Sequence, residues 1–313
     1  MYRLPDSRAL GCVVHREQKR DGSTADADAL IGCLIDDRYL VTGRLGVGAM
    51  GLVYDALHVV IERSVALKVL RPELVAEPQA TKRLFREAWA AGSLAGPHVA
   101  AVHDVGQLSD GRPYLVMERL SGKHVGEVIQ KEAPMNPARV AALLRGPANA
   151  LSEAHSRGIV HRDVKPENLI LVRDHGGGER VVLVDFGLAA FLEPGPMLER
   201  LTRAGVVLGT PEYMAPECTG DDPVTSACDV YGLATVAFEM LSGFPPFQMT
   251  NPIDLLRAKA AHDAPSLAAV SGIPFSEAFE AVLACGLARA PEARFETPAA
   301  FTNALGEALR MAR

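Results

Sequence analysis

Residues 45–53 read Leu45-Gly46-Val47-Gly48-Ala49-Met50-Gly51-Leu52-Val53, with glycines spaced as GxGxxG. Two folds use that spacing. In a dinucleotide-binding loop the glycines open a helix, whereas at a hairpin tip they join two strands. The residues that follow decide between them: Leu52-Val53-Tyr54-Asp55-Ala56-Leu57-His58 alternates as a strand does. The glycines therefore belong to a β-hairpin, where missing side chains let backbone N–H groups approach an anion such as phosphate. An ordinary flexible hairpin carries the same glycines, so the motif gains meaning only from its neighbours.

Around this hairpin, YLVTGRL from Tyr39 and VALKVL from Val65 are further short runs rich in Val, Leu and Tyr, which predicts an antiparallel sheet. Gln79–Leu94 has Leu84, Phe85, Ala88, Ala91 and Leu94 at helical spacing, then the stop Gly96-Pro97. Strands return around Ala101–Val105 and Tyr114–Met117. Beyond Asn136 the spacing predicts helices over Pro137–Ser156, Ser226–Leu241, Ile253–Ala261, Ser276–Ala288 and Pro298–Met311, with a hairpin tip at Gly176-Gly177-Gly178. A sheet-rich first third and a helix-rich remainder describe two lobes of one α+β domain. Residues 1–38, charged and small with little periodicity, read as a flexible N-terminal extension.

A chain of 313 residues, 48% hydrophobic, is long enough for two sizeable cores. Its net charge of −6 offers no basic field, so nucleic acid is not an expected partner. The five cysteines (Cys12, Cys33, Cys218, Cys228, Cys285) are odd in number and lack any CxxC, against a disulfide framework or zinc site and in favour of a cytoplasmic location. No secretory leader is evident, and no apolar run approaches the roughly 20 residues needed to span a bilayer. Tyr231–Met240 is the most apolar stretch, holds Glu239, and reads as a buried helix.

Three further motifs carry chemistry. Lys68, in the otherwise apolar Val65-Ala66-Leu67-Lys68, is costly to bury without an anion, for which Glu87 on the next helix is a candidate. A lysine on an edge strand reaching solvent would look the same. Val181–Val184 leads into Asp185-Phe186-Gly187, which puts a carboxylate at the end of a buried strand, suited to Mg²⁺ or to capping a turn. Between these lies His161-Arg162-Asp163-Val164-Lys165-Pro166-Glu167-Asn168, with two cations, two carboxylates, an imidazole and an amide in eight positions.

Taken in order, the glycine loop, Lys68, Glu87, HRDVKPEN, DFG at 185–187, Ala215-Pro216-Glu217 and Asp229 resemble the eukaryotic-like protein kinase family, of the serine/threonine (Hanks) type that bacteria also carry. The resemblance covers about Tyr39 to Arg313, and implies a bilobal kinase fold with lobes at 39–118 and 119–313. It implies an ATP site built from the loop 45–53, with Leu45, Val53, Ala66, Met117 and Ile170 packing the adenine and Glu118 to Leu120 as the hinge. Lys68, oriented by Glu87, would hold the α- and β-phosphates. Asn168 and Asp185 would ligate Mg²⁺, for which Mn²⁺ could substitute. Asp163 would accept or orient the hydroxyl proton, and Lys165 would stabilise the γ-phosphoryl.

Lys165 within HRDxKPEN, with Gly209-Thr210 ahead of the APE motif, is similar to the branch directed at Ser/Thr hydroxyls of proteins. The resemblance makes Thr202 the regulatory phosphorylation candidate and Arg162 its phosphate partner, with self-association for autophosphorylation as a further expectation. Glu217, Arg294 and Asp229 would be architectural. Two positions depart from the family: Gly96-Pro97-His98 replaces a usual His-Pro-Asn, and Ala91 stands where a larger apolar residue is common, so less area holds the Glu87 helix in place. With no span or sensor domain after the core, input is expected from the N-terminal arm or a separate partner. The competing readings are a catalytically silent kinase-like scaffold, whose usual sign is loss of Lys68, Asp163, Asn168 or Asp185, and a small-molecule phosphotransferase, disfavoured by the APE segment.

Overall fold

Side chains alternate across a strand, so the runs from Tyr39 onward need a second layer on each face of their sheet. A computed structural model of the chain describes residues 29–48, 51–75, 84–85, 88, 90–94, 96–173, 176–186, 211–219 and 225–311. The runs form β2 (Tyr39–Val47), β3 (Gly51–His58) and β4 (Arg63–Leu70), joined by β1 (Leu34–Ile35), β5 (Val102–Gln107) and β6 (Pro113–Glu118). The strands order as β1-β2-β3-β4-β6-β5, every pair antiparallel. On one face Tyr39, Val41, Tyr54, Val65, Leu67, Val69, Tyr114 and Val116 make a core with Ile35. On the other, Ala66, Leu115 and Met117 pack with the helical residues Leu84 and Ala88.

The sheet begins before Tyr39, which corrects the expected boundary of the extension. Leu34 and Ile35 pair with Leu40 and Tyr39, and Ile35 is buried. The next two residues, Asp36 and Asp37, turn the chain at φ of 48° and 52°, a left-handed geometry that Asp tolerates. Asp36 accepts a hydrogen bond from the Tyr114 hydroxyl, and Arg38 lies 2.8 Å from Asp104. Two apolar residues beside an aspartate pair are too short a signal for a strand. Residues 1–28 lie outside the described residues.

The chain divides into two units, and among the described residues the second comprises 90–94, 96–100 and the chain from Leu120 on. The boundary falls after Arg119, and residues 90–100, which sequence order places among the elements of the first lobe, cluster with the second unit. His98 explains this: its Nδ1 lies 2.8 Å from Val181 O, while Val99 bridges Leu183. Gly146 makes room for that imidazole, since a Cβ there would fall 2.2 Å from the ring.

The second unit contains a three-stranded sheet of β7 (Gly122–His124), β8 (Leu169–Arg173) and β9 (Glu179–Leu183), with Gly177 at φ 79° in the β8–β9 turn. Its helices are α1 (Val125–Glu132), α2 (Pro137–Ser156), α3 (Ala227–Ser242), α4 (Pro252–Ala261), α5 (Leu267–Ser271), α6 (Glu277–Gly286) and α7 (Pro298–Met311). α3 is buried on nearly every side and packs against α2, α5, α6 and α7, the behaviour of a helix at the centre of a core. α1 and α5 are too short to betray a period in the sequence. No helix among the described residues is long and apolar enough to cross a membrane.

Candidate active site

The HRDVKPEN residues lie between α2 and β8 without regular structure except a 3₁₀ turn at Pro166–Asn168. Side chains from outside the loop fix its path. Asp229, fully buried near the start of α3, accepts the His161 N–H at 2.8 Å on Oδ2 and the Arg162 N–H at 2.7 Å on Oδ1. His155 Nε2, at the end of α2, also donates to Oδ2 at 2.7 Å. Burial pushes the Asp229 pKa up, but the His155 hydrogen bond and the nearby imidazoles outweigh it and leave the carboxyl below its usual range. Arg162 sits at φ 64°, a geometry costly for a residue with a long side chain, and Asp229 helps hold it there.

His161 is wholly buried and joins two loops. Its Nδ1 accepts the Asp163 N–H at 3.3 Å, so Nε2 is the protonated nitrogen that donates to Val184 O at 3.1 Å. The ring meets Phe186 edge-on at 4.8 Å. Val184 N–H in turn donates to Asn168 O at 3.0 Å. These bonds tie the Asp163–Asn168 loop to the strand end that carries Asp185, itself at φ 61°.

Within that frame Lys165 Nζ lies 2.7 Å from Asp163 Oδ2. Asn168 Nδ2 donates to both Asp163 O at 2.8 Å and Asp163 Oδ2 at 2.9 Å. The amide nitrogen is thereby committed to Asp163, which makes Oδ1 the oxygen that Asn168 can offer to a cation. Asp185, at the strand end tied to this loop, could supply a second hard oxygen to a small divalent ion whose remaining ligands are phosphate and water. Among the described residues no group of three or more His, Cys, Asp or Glu side chains is placed to hold a metal unaided. The arrangement combines a carboxylate able to take a proton, an ammonium able to stabilise developing negative charge, and an oxygen pair for a cation.

In the first unit, Lys68 is 3% exposed and pairs in register with Val53 and Leu115, on the same face as Ala66 and Met117. The glycine hairpin closes through the Gly48 N–H, which donates to Gly51 O at 2.8 Å, and Arg71 Nη2 donates to Gly48 O at 3.0 Å. Gly51 has a steric reason to be glycine, because a Cβ would fall 2.3 Å from Val69 O. Gly46 and Leu52 pair with Val53 and Val47 across the hairpin, while Leu45 and Val47 are exposed. Glu118 donates its N–H to Ala101 O at 2.8 Å.

The described structure thus brings Val53, Ala66 and Met117 together in one unit, and Leu120 and Ile170 together in an apolar cluster of the other. Ala49, Met50, Glu87 and Thr202 lie outside the described residues. Sequence reasoning missed His155, which orients Asp229. Its position six residues before His161, at the last turn of a clear helix, was the available signal.

The protein kinase domain family model matches residues 39–304. Serine/threonine-protein kinase PknH of Mycobacterium tuberculosis is 38% identical over 283 residues, covering 90% of this chain and 43% of the relative. PknE of the same organism is 38% identical over 260 residues, covering 83% and 44%, and pkn3 of Myxococcus xanthus is 34% identical over 230 residues, covering 74% and 42%. The chain therefore spans less than half the length of these curated relatives. The crystal structure of the M. tuberculosis PknI kinase domain superposes with a TM-score of 0.68 at 29% identity, over 88% of this chain and 98% of that one. On residues 39–304 and these relatives, the chain belongs to the protein kinase family, in its bacterial Hanks-type serine/threonine branch.

Proposed function

We propose that the chain transfers the γ-phosphoryl group of ATP to serine and threonine hydroxyls of proteins. Kinases of this family use ATP and a divalent cation, and we assign Mg²⁺ to Asn168 Oδ1 and Asp185. The observation that carries the reading is the 2.7 Å approach of Lys165 Nζ to Asp163 Oδ2, with Asn168 fastened to the same carboxylate. The substrate hydroxyl gives its proton to Asp163 as its oxygen bonds to the γ-phosphorus, and the bond from that phosphorus to the ADP oxygen breaks. Lys165 stabilises the charge that develops on the transferring oxygens, which requires an ammonium already in place before reaction. A bound Mg²⁺ would neutralise charge on the β- and γ-oxygens. In the first unit Lys68 holds α- and β-phosphate oxygens, and the face bearing Ala66, Met117 and Val53 packs the adenine. Thr202 and Arg162 are the proposed regulatory phosphosite and its partner.

Incubating the purified chain with Mg²⁺, labelled ATP and a generic protein substrate tests this. Phosphoamino-acid analysis should yield phosphoserine and phosphothreonine. Phosphotyrosine alone, or no phosphoprotein with any of a broad substrate panel, would overturn it.

A further inference from the structure

Helix α4 buries Leu255, Leu256, Ala258 and Lys259. The lysine is the outlier, at 1% exposure. Taking an ammonium out of water costs several kcal/mol unless its protons are satisfied. Here all three are: Nζ donates to the main-chain carbonyls of Pro211, Glu212 and Met214, each within 2.9 Å, and stands 5.2 Å from the centre of the Tyr231 ring. One side chain thus fastens a whole loop segment to α4.

That segment has a defined place. Tyr213, Met214 and Ala215 line one depression with Arg162, Asp163 and Val164. Gly232 on α3 permits this approach, since a Cβ there would lie 2.9 Å from Val164 O and 3.7 Å from Tyr213 O. A second tether runs from the Tyr213 hydroxyl to Glu239 Oε2 at 2.6 Å. Residues 211–214 are therefore a wall beside the chain segment Arg162–Val164 that carries Asp163.

We propose that Lys259 is a positioning residue for the protein substrate, holding residues 211–214 at the height where chain flanking the acceptor hydroxyl rests while that hydroxyl meets Asp163. The proposal rests on the kinase reading above. Lys259 touches neither nucleotide nor acceptor, so its effect falls on the protein substrate. The groups facing it are Glu212 on the wall, Cys218 in the 3₁₀ turn just after it and Tyr231 on α3, with Arg294 and Glu217 beyond the Tyr231 ring. Burial pulls its pKa down to about 7, opposed by Glu212 and Cys218. Above that pH the amine keeps two protons for three carbonyls, so the wall loosens as pH rises.

Lys259→Met and Lys259→Gln in the full chain test this, using a Ser/Thr peptide selected on an array by the wild-type enzyme. The expected result for Lys259→Met is a peptide KM raised tenfold or more with the ATP KM within twofold, and faster amide hydrogen exchange over residues 211–219. Lys259→Gln keeps two N–H donors and should fall between, so it carries the test if the Met variant does not fold. The wild-type peptide KM should rise between pH 6 and 8, and that of Lys259→Gln should not. An unchanged peptide KM with unchanged exchange over 211–219, or peptide and ATP KM rising together, would overturn the proposal. Absence of transfer by the wild type would instead overturn the kinase reading and with it the substrate role, while the exchange data would still judge the tether.

Discussion

Replacing Asp229 with Asn hardly alters side-chain volume but removes one acceptor oxygen. In the wild type the two oxygens receive the main-chain N–H groups of His161 and Arg162 at 2.8 and 2.7 Å, and His155 Nε2 at 2.7 Å. Whichever way the amide turns, its NH₂ faces a backbone N–H, so one of those two bonds is lost. A buried hydrogen bond to a charged group is worth about 1.5–3 kcal/mol. The Arg162 backbone at φ 64° then loses part of what holds it and is freer to relax, displacing the residue that follows. The loss is about 1.5–3 kcal/mol, which urea unfolding would register as a midpoint lower by roughly 0.5–1 M for a slope near 3 kcal/mol/M. Asp163 follows Arg162 directly, and a displacement of 1 Å at a reacting group costs about 100-fold in rate, so transfer should fall alongside stability. There is also a pH signature. The Asp229 pKa is depressed on folding from 3.8, so its contribution is complete above about pH 4 and is lost as pH falls through the lower folded value. Wild type should converge on the variant in acid. A destabilisation below about 1 kcal/mol with activity within threefold of wild type would refute the bracing role.

Arg294→Met leaves the Glu217 carboxylate, 4% exposed, without the two 2.7 Å bonds it now accepts, and should lower stability by about 3–5 kcal/mol in chemical denaturation. Gly232→Ala forces a methyl toward Val164 O and Val164 Cβ, at 2.9 and 3.0 Å. It should cost about 1–3 kcal/mol in a thermal melt and reduce phosphoryl transfer disproportionately, because Val164 adjoins Asp163. Thr202→Ala should reduce activity to the level of the dephosphorylated wild type, with phosphopeptide mapping of active wild type finding Thr202 modified; a fully active variant and an unmodified Thr202 together would exclude the regulatory role.

Much of the fold was legible because its signals are local. α2 and α7 have the predicted bounds, since each shows several turns of helical period and starts at a proline. The β2–β3 hairpin was legible because glycines and alternation are both sequence features. Partition between units was not: residues 90–100 belong to the second unit through His98, Gly146 and the Val99–Leu183 bridge, contacts set by distant chain. In the site, the role of HRDVKPEN was readable from chemical density, while the partners that shape it are remote. His155 and Lys259 looked like ordinary helical polar residues. For Lys259 a clue existed, because it follows Leu255 and Leu256 at helical spacing and so falls on the buried side of α4. What sequence could not supply were the carbonyls waiting there.

Asp163 is the proposed acceptor of the substrate proton in a Ser/Thr phosphoryl transfer. The most direct test of that role is the rate of label transfer from γ-labelled ATP to protein, measured side by side for wild type and Asp163→Asn, with ATP affinity of both followed by equilibrium binding. The expected result is robust transfer by the wild type, a loss of about 100-fold or more in the variant, and ATP affinities within a few-fold of each other. Equal transfer rates in the two proteins would contradict it.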